Sequence, residues 1–286
     1  TPSISSAASD VYKRQGQDTV SFYQDVDGKG GRNGNNAKFG IDWNPGTKHL
    51  FTLQGTVNQG LSPRLNLTNT DWSTPTGPYT IGQISDRTGV RLNSSVDLIY
   101  DYKPQKGEEL NVRLSYTDGS RDDELIFVQD TLLSNDIKLP SLQYDTRSFG
   151  EQNELNVIVD YTKKWKEDSR LEAGMKLITR DDRDGFNRTN IDLSTGLGTL
   201  DPFSENEFLY EEDILAAYMN YGFKNGPWGF QLGLRAEQAN ITATQITQDS
   251  AFQNNYFQVY PSAFLTYEIA RGRELNLSYS RRVQRP

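Results

Sequence analysis

The stretch ILAAYMNYGFKNGPWGFQLGLRAE, Ile214 to Glu237, settles what kind of backbone this chain makes. Leu215, Ala217, Met219, Tyr221 and Phe223 fall on every second position, with Tyr218, Asn220 and Gly222 between them. After the polar turn KNGP, Trp228, Phe230, Leu232 and Leu234 alternate in the same way with Gln231, Gly233 and Arg235. A period of two marks a strand with one apolar face, and two such runs around an Asn-Gly turn make a hairpin.

The same unit recurs on both sides of this one. Ala37, Phe39, Ile41 and Trp43 lead into NPGTKH, and Phe51, Leu53 and Val57 lead out. Val90 to Tyr102 enter KPQKGEE and Leu110 to Tyr116 leave it. Leu155 to Tyr161 and Leu171 to Leu177 flank KKWKEDS, and Val259 to Ile269 and Leu275 to Tyr279 flank ARGRE. Turn centres near 45, 105, 166, 225 and 271 repeat at roughly 60 residues. Tight polar turns alternate with long segments read as irregular loops, residues 59–89, 117–152 and 181–207. Short turns at one end and long loops at the other describe an outer-membrane barrel.

The faces agree. Opposite the apolar residues lie Asp42, Asn93, Asp97, Arg113, Asp160, Lys176, Gln231, Arg235 and Asn276, suited to a wet lumen, though a sandwich alternates similarly. Aromatics gather beside the tight turns: Trp43, Tyr100, Tyr102, Tyr116, Tyr161, Tyr221, Phe223, Trp228, Tyr267 and Tyr279. A membrane-interface girdle clusters them this way. The fold class expected is therefore all-β, an antiparallel up-and-down transmembrane barrel with about ten or eleven strands present.

Composition narrows the function. Only 35% of the 286 residues are hydrophobic and mean hydropathy is −0.71, so no run approaches the roughly 18 apolar residues of a spanning helix. A net charge of −8 argues against nucleic acid as a partner. There is no cysteine, and His49 is the only histidine, which removes thiolate sites, His-based triads and multi-His metal sites. His49 reads as a turn residue. No catalytic residue, cofactor or metal ligand is expected, and ligand-binding residues stay unassigned.

Weaker motifs have bland readings. In YQDVDGKGGRNGN, from Tyr23, Asp25, Asp27 and Gly30 match the first positions of a calcium loop, but Lys29 and Asn36 spoil it, and the stretch reads as a solvated Gly-rich loop. Glu211, Glu212 and Asp213 are consecutive on a strand and point to alternate faces. GKGGRNG lacks the helix and the Gly-Lys-Ser/Thr of a phosphate cradle. Arg281, Arg282 and Arg285 form a local basic cluster.

Residues 1–15, TPSISSAASDVYKRQ, carry no such alternation and resemble a translated adaptor read-through. They are set apart as a non-native leader, leaving 16–286 as a partial barrel domain.

Three strings carry a family resemblance: FLYEEDILAAYMNYGF, WGFQLGLRAEQANITATQ and YFQVYPSAFLTYEIARGRELNLSYSRRVQRP. Residues 206–286 resemble the barrel of TonB-dependent outer-membrane receptors and the β-barrel family allied to them. The matching series is E-x-I-x-A-A-Y, G-L-R-x-E, an internal Pro-Ser and Y-S-R-R-x-x-R-P. Ala236 departs from it where an aromatic is common. Residues 16–205 match only in rhythm.

The resemblance implies a barrel of about 22 strands plugged by a separate domain, energised import of a ligand and no enzyme activity. Implied partners are outer-membrane lipid, the TonB energy-transducing complex through the plug, and a surface lipoprotein. On this expectation the chain is a fragment with neither plug nor closing strand. A secreted β-rich binding or adhesion module is the alternative, and an outer-membrane barrel enzyme a third.

Overall fold

The computed structural model describes residues 3–15, 18–134, 136–165 and 169–281, with side chains from residue 20 onward. Thirteen strands follow one another: β1 (Ser3–Gln15), β2 (Asp18–Gly30), β3 (Asn33–Gly46), β4 (His49–Thr74), β5 (Gly77–Tyr102), β6 (Glu108–Leu133), β7 (Leu142–Trp165), β8 (Ser169–Ile191), β9 (Gly198–Leu200), β10 (Asn206–Asn225), β11 (Trp228–Gln245), β12 (Ser250–Ala270) and β13 (Arg273–Ser280). Among the described residues there is no helix.

All strands belong to one antiparallel sheet in the order β1-β2-β4-β5-β6-β7-β8-β10-β11-β12-β13. β2 pairs with the far half of β4 and β3 with its near half, so these two share one place in the sheet on either side of a break at Gly31 and Arg32. β9 pairs only with the end of β8. β1 and β13 do not pair, and the sheet is open. Among the described residues no second sheet packs against it, unlike a sandwich.

Four of the five tight turns lie where the hydropathy pattern places them; the one near 166 lies outside the described residues. In KNGP and ARGRE, Gly226 and Gly272 have φ of 59° and 81°, the left-handed region that glycine enters without a steric cost.

The segments read as long loops are mostly strand. β4 continues to Thr74, turns at Pro75 and Thr76, and returns as β5 in unbroken register. β6 runs on to Leu133 before β7 begins at Leu142, and β8 runs on to Ile191. Hydropathy misses these extensions because a backbone ladder is held by N–H and C=O groups and needs no apolar face where both sides meet water. The Gly-rich stretch from Tyr23 is likewise strand β2 up to Gly30, with only a two-residue break before β3. Ser3–Gln15, set apart in the sequence, pairs along β2 as edge strand β1; an open edge offers backbone partners whatever the side-chain pattern.

Register fixes the two faces. Trp43, Phe51 and Tyr100 are cross-strand neighbours, as are Leu53 and Leu98, and Leu177 and Leu215. These side chains stand on the convex face, where Leu232 is 60% and Leu277 70% exposed. The buried side chains Ile214, Ala216, Ala239, Tyr260 and Glu237 all stand on the other face, where curvature crowds neighbours together.

The convex apolar band covers residues 51–61 on β4, 90–100 on β5, 110–116 on β6, 155–161 on β7, 171–177 on β8, 215–223 on β10 and 259–267 on β12. On β4, β5, β10 and β12 that matches the roughly 9–11 residues of a tilted membrane crossing, and on β6, β7 and β8 it is about two residues shorter. Water would not tolerate so large an apolar belt. At the tight-turn edge, aromatic rings pack against one another across strands. Phe51 lies 4.5 Å from Tyr100, Trp228 lies 4.4 Å from Tyr267, and Phe223 lies 5.0 Å from Phe230.

Candidate functional site

A 26-residue strand such as β5 is about 85 Å long at the usual rise, more than twice its apolar band. The excess projects past the membrane on the side away from the tight turns. There the convex face turns polar and acidic, with Asp118, Asp181 and Glu211 in one cross-strand row. Above them Arg147 grips Asp122, with Nε 3.0 Å from Oδ1 and 3.1 Å from Oδ2. These hydrogen bonds hold the Asp122 carboxyl below its ordinary range.

The concave wall of the projection carries a different chemistry. Arg64 on β4 stands directly opposite Arg87 on β5, and Arg91 on β5 directly opposite Arg121 on β6. Directly opposed side chains have Cβ atoms about 5 Å apart, and like charges so placed repel. Asp123 pairs with Arg87 at 3.3 Å and Asp184 with Arg121 at 2.8 Å. Among the described residues, Arg64 donates only to Asn66 Oδ1, at 3.2 Å. Arg87, Arg91, Arg64, Lys29 and Arg32 line a hollow of about 750 Å³ with Asp123 as the one acid.

Further round the wall the sign reverses. Arg180 pairs with Asp182 at 2.5 Å, which raises the guanidinium pKa, and Glu212 follows on β10. Tyr210 beside them is pushed up, first by burial and then by Glu212.

Glycines make these contacts possible. A Cβ on Gly150 would come within 2.7 Å of both Arg121 Nε and Asp184 Oδ1, and one on Gly89 within 2.4 Å of Asp123 Oδ1. Within the membrane band, Asp160 and Tyr218 meet across β8 over Gly174 in the same manner.

Of the motifs singled out in the sequence, the Gly-rich stretch contributes residues 28–32 to the rim of this hollow and Glu212 stands on the wall opposite Arg180; the remaining residues lie apart from it. Asp25 and Asp27 pair opposite Asn69 and Leu67 on the convex side, while Asn36 is on β3 opposite Asn58. They surround no common point. Glu211 and Asp213 point outward and Glu212 inward, as consecutive strand residues must. His49 begins β4, with Nδ1 2.9 Å from Tyr100 Oη and its ring stacked 4.7 Å from Tyr102, part of the girdle. The Arg281 N–H donates to the Pro261 carbonyl at 3.2 Å; Arg282 and Arg285 lie outside the described residues. Sequence reasoning missed the arginine pairs, because residues 59–89 read as loop and a loop has no register. Arg87 and Arg91, both at even spacing on one face, were the available signal.

The model of the outer membrane protein beta-barrel family matches residues 103–286. The chain belongs to this family. A member of the outer membrane protein beta-barrel family sits in the Gram-negative outer membrane, and the apolar band is the surface it turns to lipid. No curated protein matches the chain.

Among solved structures, the unliganded ferric citrate transporter FecA is similar over 91% of this chain and 41% of its own, at 11% identity and a TM-score of 0.49. The siderophore receptor PiuA from Acinetobacter baumannii is similar over 98% and 48%, at 10% identity and 0.46. The translocator domain of the autotransporter NalP from Neisseria meningitidis follows over 97% and 80%, at 10% identity and 0.30. The chain thus spans less than half the length of the first two.

Proposed function

We propose that this outer-membrane barrel belongs to a TonB-dependent receptor that captures a scarce solute outside the cell and imports it through a plugged lumen. The observation that carries the reading is the mismatch between strand length and apolar band. Strands of 23 to 26 residues from β4 to β8 hold a wide, charged, concave wall beyond the membrane. A simple pore has no use for such a wall, and a receptor needs one to collect ligand before transport. The motif series at residues 206–286 points the same way.

In this reading the wall binds, the plug gates, and the TonB complex supplies energy from the inner membrane. A surface lipoprotein cooperates at the outer rim. No catalytic group is required, and the protein is not an enzyme.

The test compares spent medium from the native host with that from a strain lacking the gene. Energised import predicts at least one solute drawn down only by cells carrying the gene, with the drawdown abolished by a protonophore. Drawdown that persists with the protonophore contradicts energised import, and the lack of any gene-dependent drawdown contradicts import itself.

A further inference from the structure

We propose that the concave wall at Arg64, Arg87, Arg91 and Arg121 is a binding site for a small polyanion carrying two or more carboxylate or phosphate groups. The inference deepens the receptor reading and rests on it for the direction of transport, but the binding itself stands on geometry.

Four guanidinium groups on three adjacent strands occupy two directly opposed pairs in a chain whose net charge is −8. Opposed like charges cost stability, and the surroundings offset only part of that cost. Asp123 and Asp184 each neutralise one arginine, at 3.3 and 2.8 Å. Arg91 has no ion pair or hydrogen bond among the described residues and lines two adjoining hollows, of about 750 and 450 Å³. Among the same residues, Arg64 holds only an amide oxygen two residues along its own strand.

The floor between them is open. Gly60 faces Arg91 and leaves open space beside it, whereas the Asp123 carboxylate and the Ser62 hydroxyl fill the space over Gly89, so an incoming group reaches Arg64 and Arg91 from the Gly60 side. Planar guanidinium groups pair bidentately with carboxylate and phosphate. Spacing two such forks across neighbouring strands favours a ligand with at least two anionic groups over a monoanion. Glu212 and Asp182, the latter paired with Arg180, bound the site on its far side and disfavour the same ligand there.

The test is calorimetric titration of the full chain folded in detergent, with pyrophosphate as one probe and tricarballylate as the other. The parent is compared with Arg64→Gln/Arg91→Gln, with the charge-keeping Arg64→Lys/Arg91→Lys, and with Arg147→Gln on the convex face. The proposal expects saturable binding of at least one anion, weakened by about tenfold or more in the Gln double variant, and unchanged in Arg147→Gln. The Lys variant retains part of the affinity, which separates lost charge from lost fold. Whichever probe binds names the group. Equal affinity in the parent and the Gln variant, or no saturable binding of either anion, overturns the proposal. Gene-dependent drawdown of an uncharged solute would leave the receptor reading standing while removing this one.

Discussion

Arg121 on β6 and Asp184 on β8 hold each other at 2.8 Å across the whole width of β7, which lies between them. They meet because residue 150 is glycine. Both are its direct cross-strand neighbours, and any Cβ there would stand 2.7 Å from each partner.

Gly150→Ala should therefore uncouple the pair. Both side chains are about half exposed, so the ion pair contributes at most about 1 kcal/mol and the variant still folds. A double-mutant cycle on Arg121 and Asp184 is expected to show coupling in the parent and none in Gly150→Ala. Equal coupling in both would mean that the pair does not depend on the gap.

The equivalent bridge inside the band is less forgiving. Tyr218 and Asp160 meet over Gly174, where a Cβ would stand 2.5 Å from the phenol oxygen. Gly174→Ala must displace a half-buried ring, and overpacking of this kind costs about 1–3 kcal/mol. Unfolding in lipid should show that loss, and Tyr218→Phe in the same background should recover little of it.

Acid should weaken the projection at a defined place. Hydrogen bonds from Arg147 lower the Asp122 carboxyl in the folded protein, whereas the unfolded chain titrates near 3.9. The pair's contribution is complete above that value and disappears as pH falls through the lower folded pKa. Arg147→Gln should flatten the acid side of the stability profile below about pH 4. Identical profiles for the parent and Arg147→Gln would show that the pair contributes nothing to stability.

Orientation follows from the asymmetry between short turns and projecting strands. In cells producing the protein, a cysteine at Thr76, in the far turn between β4 and β5, should react with a membrane-impermeant thiol reagent. A cysteine at Gly46, in the near turn between β3 and β4, should not. The reverse pattern would turn the barrel over in the membrane.

The sequence made the membrane half of this fold legible and hid the rest, for a physical reason. Between Phe51 and Leu61, or Leu215 and Phe223, one face must meet hydrocarbon, and alternation is imposed by that solvent. Beyond Leu61 the backbone pairs just as well, as Asn66 opposite Ser85 shows, but both faces meet water and no periodicity is demanded. Turns such as KNGP were readable because they sit between two alternating runs. The turn at Pro75 and Thr76 has none beside it. The arginine wall stayed invisible for the same reason: Arg64 and Arg87 are 23 positions apart, and only the register that joins β4 to β5 makes them neighbours.

The central claim is that the convex face of the band meets lipid and the concave face meets water. Leu232 and Gln231 test it most directly, since they are adjacent in β11 and point to opposite sides. Folding into lipid bilayers should be destabilised by about 2–4 kcal/mol in Leu232→Arg, while Gln231→Arg should cost well under half as much. Equal losses in the two variants, or a larger one in Gln231→Arg, would contradict the assignment of the faces.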